Sequence, residues 1–275
     1  MEILFFCPRW GSAKIPWDEF ALRVKSAGFD GIETDIPINI HDREQMLNAM
    51  EKNKLLLIAQ HWETTDQYFE NHLDEYTGRI AFLASAKPLF INSQTGKDYF
   101  NFHENKLLIQ SAHNIAATMG VPVYHETHRG KFSFAAHITK TFLENDPLLG
   151  LTFDVSHWCA VAESLLDDQQ EAVVMAIERT KHIHARIGHT QGPQVIDPRS
   201  ESAQNALQFH LQCWDRIVKE KERKGEPMLT FTMEFGPAPY MMHHPFTGEP
   251  FADQWELNIY MMHMLKERYR KNRTL

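Results

Sequence analysis

Ala116-Ala117-Thr118-Met119-Gly120-Val121-Pro122-Val123-Tyr124-His125-Glu126 is one unit of a pattern that runs the length of the chain. A helix-spaced segment closes on a glycine, the residue that adopts a left-handed C-terminal cap without steric cost. A short run of β-formers follows, and the run ends on a carboxylate. Working outward, β-rich runs stand at Ile3–Cys7, Gly31–Ile36, Lys54–Gln60, Leu89–Asn92, Val121–His125, Leu149–Phe153, His182–Ile187 and Met228–Glu234. Between them lie stretches with apolar residues at helical spacing, such as Leu207-Leu211-Trp214-Ile217-Val218. Gly28 and Gly225 close other helices as Gly120 does. Pro16 opens the turn Trp17-Asp18-Glu19, and Asp42 with Gln45 three residues on reads as a capping box.

Strands that alternate with helices require parallel strands joined by crossover helices. Eight such units share 275 residues, about 34 each, which suits a (β/α)8 TIM barrel, an α/β fold spanning residues 1–275 as one domain. A doubly wound open sheet calls for a glycine-rich phosphate turn after the first strand. Here that turn is Pro8-Arg9-Trp10-Gly11-Ser12, which is not GxGxxG.

Composition narrows the function. The net charge of −8 is the wrong general field for phosphate backbones and argues against nucleic acid as a partner. No run is long and apolar enough to span a bilayer, so no membrane partner is expected. Cys7, Cys159 and Cys213 are scattered and odd in number, which fits a reducing compartment rather than a disulfide framework. The start Met1-Glu2-Ile3-Leu4-Phe5-Phe6 lacks a basic leader. The expected location is therefore cytoplasmic.

In a parallel barrel, chemistry sits where strands end and loops begin. The first run ends near Trp10, the second carries Glu33 and Asp35, and the third reaches His61. The fourth ends at Asn92-Ser93-Gln94, and the fifth at Glu126 with His128 and Arg129 beyond. The sixth ends at Asp154 with His157 a turn on, the seventh holds His182, His184 and Arg186, and the eighth ends at Glu234. Four successive strands thus deliver Glu126, Asp154, His184 and Glu234, three carboxylates and an imidazole that converge on the barrel mouth. This donor set suits one divalent ion of the Mn, Fe, Co or Zn type, with Mg less favoured. Alternation places His182 and His184 on one face of their strand, so one of them is free to be a packed neighbour. His61, His128 and Trp10 fall at strand ends where they can line a substrate, and Trp62 and Trp158 share that placement as sugar platforms. The long segments 188–200 and 236–253 cover the mouth. Pro237, Pro239, Tyr240, Met241, Met242 and Phe246 suit either a water-excluding cover or a homo-oligomer contact.

Phe153-Asp154-Val155-Ser156-His157-Trp158, His182-Ile183-His184 and Thr232-Met233-Glu234-Phe235-Gly236 resemble the xylose isomerase-like barrel superfamily. That group holds sugar isomerases and epimerases, inosose dehydratases and endonuclease IV-type nucleases. The resemblance to its ketose 3-epimerase branch implies that Glu126, Asp154, His184 and Glu234 bind one metal. It further implies that Glu126 and Glu234 act as catalytic acid and base, and that His157 touches substrate. In those epimerases a substrate-contacting Arg lies several residues past the seventh-strand His. Here Arg186 is only two residues on and position 190 is Thr, so Arg186 is the candidate on the same strand face.

The reading that follows is a metal-dependent isomerase or epimerase acting on a ketose or related hydroxy-carbonyl sugar or polyol. The ion polarises the carbonyl, and the glutamates move a proton through an enediolate. The alternatives are an inosose dehydratase-like lyase, a non-catalytic sugar-binding barrel and an endonuclease IV-like nuclease. The net negative charge argues against the nuclease, and the paired glutamates argue against mere binding.

Overall fold

The computed structural model describes residues 1–271. Eight parallel strands close into a barrel in sequence order. They are β1 (Glu2–Pro8), β2 (Gly31–Thr34), β3 (Leu56–His61), β4 (Ile91–Ser93), β5 (Val123–Glu126), β6 (Leu151–Phe153), β7 (Thr180–His184) and β8 (Met228–Thr232). The outer layer holds α1 (Trp17–Ala27), α2 (Ile40–Lys52), α3 (Phe69–Ser85), α4 (Phe102–Met119), α5 (Ala136–Asn145), α6 (Val155–Ala162), α7 (Gln170–Arg179), α8 (Gln204–Arg223) and α9 (Gln254–Lys271). β1 closes on β8 with Glu2 opposite Met228 and Phe6 opposite Thr232. No helix among the described residues is long and apolar enough to cross a membrane.

All eight expected runs contain a strand, with shifted bounds. Leu89, Val121 and Leu149 precede the ladders, although Leu149 is only 1% exposed. For Val121 and Leu149 the apolarity marks burial in the helix-to-strand turns, whereas Leu89 is half-buried and its backbone N–H donates to the Leu57 carbonyl of β3 at 2.9 Å. The cap of α2 also moves: Asn39, not Asp42, accepts hydrogen bonds from the backbone N–H groups of His41 and Asp42. Gln45 instead meets the His41 ring one helical turn away. An unforeseen capping box sits on α4, where Asn101 and Glu104 satisfy each other's backbone N–H groups.

Alternation along the strands sorts the core into two regions. Phe5, Cys7, Ile32, Ala59, Ile91, Phe153, Ile183 and Phe231 face outward into the large core under the helices. Leu4, Phe6, Ile58 and Phe90 form a separate apolar cluster inside the barrel. Gly31 is required beside it, because a Cβ there would collide with the Phe6 ring and the Leu56 carbonyl. Above this apolar floor the interior turns polar. A register irregularity between β6 and β7 pairs Leu151 with Thr180 but Thr152 with His182, skipping Lys181. That bulge aims both His182 and His184 inward.

Candidate metal centre

Glu126 is the last residue of β5, Asp154 caps α6 directly after β6, and His184 ends β7. Glu234 lies two residues beyond β8. All four are buried, and each offers a ligand atom within 4.8 Å of the others. The fit to a cation rests on three buried atoms without hydrogen-bond partners: Glu126 Oε1, His184 Nδ1 and Glu234 Oε2. His184 Nδ1 lies 2.8 Å from Glu234 Oε2 and 3.5 Å from Glu126 Oε1, close approaches that lack hydrogen-bond geometry. Buried polar atoms left unpaired are costly, and a shared cation offsets that cost. Asp154 is the exception. Its Oδ1 accepts from the Ser156 backbone N–H at 3.0 Å, and its Oδ2 is bound by the Arg186 guanidinium. Metal ligation by Asp154 would therefore be shared with, or displace, Arg186.

Below these residues lies Glu33, 1% exposed and on the barrel axis side of β2. Its Oε1 is 3.0 Å from His184 Nε2 and accepts from Asn92 Nδ2 at 2.8 Å. Its Oε2 is 3.1 Å from His182 Nε2 and accepts from the Thr232 hydroxyl. Burial pushes the Glu33 carboxyl upward, but His184 and His182 outweigh it and hold it well below its ordinary value. The same contest sets Glu126 at about 2, with burial opposed by His184. For His184, burial works against the charged form, yet Glu234, Glu33 and Glu126 together hold its proton well above the ordinary histidine value. Burial raises Asp154, against the pull of Arg186.

The cleft above the site has a volume of about 450 Å³. Glu126, His128, Arg186, Glu234 and Tyr240 form one wall, and Arg9, Trp10, Asp35, Gln60, Trp62 and Gln94 form the other. Trp10 is thus in the cleft, with its ring edge-on to Tyr240 at 5.1 Å. Gly236 makes room for it, since a Cβ there would run into the indole. Tyr240 also covers the Arg186 guanidinium at 4.6 Å from its ring centre. A larger hollow of about 620 Å³ lies at the opposite end, between β1 and α9, away from all of these groups.

Several other candidates lie elsewhere than expected. His61 points out of the barrel. It meets Ser93 and Thr64 and stacks edge-on against Tyr76 of α3, so its neighbour Gln60 takes the inward place. Trp158 is also core, buried at 1% exposure with its indole N–H on the Ser133 carbonyl. His157 is buried between two guanidinium groups, 3.1 Å from Arg129 Nε and 2.8 Å from Arg186, with the His128 ring 4.0 Å away. Burial and these neighbours keep it neutral. It contacts the cleft wall from behind rather than lining the cleft. Glu33, Gln60, Asn92 and Gln94 stand among the polar residues of the strand ends, but the sequence assigns them no role. The available signal was polar residues recurring inside or at the ends of otherwise apolar strands.

A scan of protein-family models and a search of curated proteins returned no match. Solved structures do match. The 3-keto-D-glucoside 4-epimerase YcjR of E. coli superposes with a TM-score of 0.64 at 16% identity, over 97% of this chain and 100% of that one. The probable 3-DHS dehydratase AsbF of Bacillus anthracis gives 0.60 at 16% identity, over 97% and 99%. A xylose isomerase-like TIM barrel protein of Mycobacterium smegmatis, in complex with magnesium, gives 0.60 at 12% identity, over 96% and 97%. At these identities the likeness establishes the fold alone: this chain has the same closed eight-stranded parallel (β/α)8 barrel as these proteins.

Proposed function

We propose that this protein is a divalent-metal-dependent isomerase or epimerase of a sugar or polyol bearing a carbonyl next to a hydroxyl-bearing carbon. The observation that carries the reading is the convergence of three unpartnered buried atoms, on Glu126, His184 and Glu234, beneath an open cleft. Glu126, Asp154, His184 and Glu234 would hold the ion, which supplies Lewis acidity toward the substrate carbonyl. Glu126 and Glu234 reach the cleft from non-adjacent strands, so one can withdraw a proton from the carbon beside the carbonyl while the other returns one. Arg186 lines the cleft, where its guanidinium would stabilise negative charge developing on oxygen. The opposite wall suits a polyhydroxylated ligand. The Gln60 and Gln94 side chains make no hydrogen bond among the described residues, and Arg9 keeps one buried N–H group unpaired. Trp10 and Trp62 offer apolar faces beside these donors, as a sugar ring requires.

The test is incubation of candidate ketoses with the metal-loaded protein in heavy water. Deuterium should appear on the carbon beside the carbonyl, and Glu126→Gln at saturating metal should slow that exchange by on the order of a hundredfold. A second reading, a lyase that uses the same base to expel a β-hydroxyl as water, is favoured by the likeness to a probable dehydratase. It would announce itself as a dehydrated product. Full activity in both Glu126→Gln and Glu234→Gln would sink both readings.

A further inference from the structure

We propose that Glu33 is a positioning residue for the metal centre: its carboxylate holds the Nε2 edge of His184, so that Nδ1 is presented to the ion, and through Asn92 it orients Glu126. The inference rests on the metal reading above and concerns a residue outside the proposed ligand set. A metal-binding imidazole is commonly held by a second group on its other nitrogen, which fixes the ring's orientation and strengthens the donor. Here that group is specific. Glu33 Oε1 lies 3.0 Å from His184 Nε2, on the opposite side of the ring from Glu234 and Glu126.

The carboxylate cannot turn away. Asn92 Nδ2 donates to Oε1 at 2.8 Å, while His182 and Thr232 hold Oε2. His182 is itself anchored, with its Nδ1 3.0 Å from the Thr230 carbonyl. The Asn92 amide that contacts Glu33 also donates to Glu126 Oε2 at 3.1 Å, which leaves Glu126 Oε1 as the unpartnered oxygen. One buried carboxylate on β2 therefore fixes the free atoms of two ligands, on β7 and β5. Nothing in the cleft touches Glu33, so it has no direct path to substrate. The role follows from contacts with neighbours alone.

The test compares wild type, Glu33→Gln, Glu33→Ala and Asp154→Ala by titration of the metal-free proteins with Co²⁺, following the visible absorption bands. Glutamine keeps the size and an acceptor for His184 but removes the charge. Glu33→Gln should unfold at a temperature near that of wild type and bind one Co²⁺ with affinity reduced by about ten- to hundredfold. Its spectrum should be unchanged, since the donor atoms are the same. Glu33→Ala should lose more affinity. In zinc-loaded wild type, ¹⁵N shifts should show His184 bound through Nδ1 and protonated on Nε2, and Glu33→Ala should lose that signature. Wild-type affinity in both Glu33 variants overturns the proposal. So does an altered band pattern in Glu33→Gln, which would make Glu33 a ligand. Failure of the metal reading looks different: wild type itself would bind no Co²⁺, whatever the Glu33 variants do.

Discussion

Asp154 is the residue on which the Arg186 guanidinium and the Ser156 backbone N–H meet. Its Oδ2 is held by Arg186, and Arg186 also comes within 3.5 Å of Glu234 Oε2. The guanidinium thus balances two of the carboxylates that would ligate an ion. Removing the Asp154 carboxylate would take away one proposed ligand and leave Arg186 free to settle on Glu234. Elemental analysis should find about one divalent ion per chain in wild type and a large loss in Asp154→Ala. Retention of the ion in that variant would remove Asp154 from the ligand set. His157 behaves differently. It touches Arg129 and Arg186 but none of the unpartnered atoms. In His157→Ala, turnover should fall because Arg186 loses a support, while metal content stays near one ion per chain. A loss of metal equal to that of Asp154→Ala would make His157 a ligand instead.

At the scale of elements, two loops bring the site together, and glycines let them approach. Gly188 follows β7 and lies against α6: a Cβ there would come within 2.6 Å of the Ser156 Cβ and 2.8 Å of its Cα and carbonyl oxygen. Ser156 is the residue whose N–H holds Asp154, so α6 cannot shift without moving a proposed ligand. Gly188→Ala should destabilise by about 1–3 kcal/mol, the usual range for overpacking, and should weaken metal binding as well. Thermal unfolding at matched metal concentration checks the first and the Co²⁺ titration the second. An unchanged metal affinity would show that α6 tolerates the push. The element scale is also where the sequence is most legible. Eight β-rich runs and their glycine caps point to the barrel, and the convergence of Glu126, Asp154, His184 and Glu234 is legible because each stands at or just beyond a strand end. What could not be read was which way a residue faces. His61 and Gln60 are neighbours on β3, and the ladder register alone decides that Gln60 enters the cleft. Glu33 lies within a strand rather than at its end, so its role depends on three other strands that sequence order does not place beside it.

Over the whole molecule, the barrel interior is graded from an apolar floor around Phe6, Ile58 and Phe90 to a charged top. The gradient concentrates Glu33, Glu126, Asp154 and Glu234 in one buried region, where Arg186 and a protonated His184 are in direct contact with them. An ion bound there stabilises the fold by mass action. At a free concentration of a hundred times its dissociation constant the gain is about 2.7 kcal/mol, or on the order of 5–10 °C in midpoint. Chelation should reverse that shift, and an unmoved midpoint would count against a resident ion. The same arrangement couples binding to pH. His184 has its pKa raised in the folded protein, so it keeps its proton well past the ordinary histidine value when no metal is bound. An ion that takes Nδ1 must displace that proton. Binding therefore releases about one proton, and affinity rises about tenfold per pH unit until the pH passes the raised pKa of His184. Glu126 adds nothing to this slope, because its pKa of about 2 leaves it ionised throughout. Asp154, raised by burial against the pull of Arg186, adds to the slope wherever it too must lose a proton. Calorimetric titration with metal in buffers of different ionisation enthalpy reads the released proton directly. A pH-independent affinity between about pH 6 and 8, with no proton released, would show that the ion does not bind through His184 Nδ1.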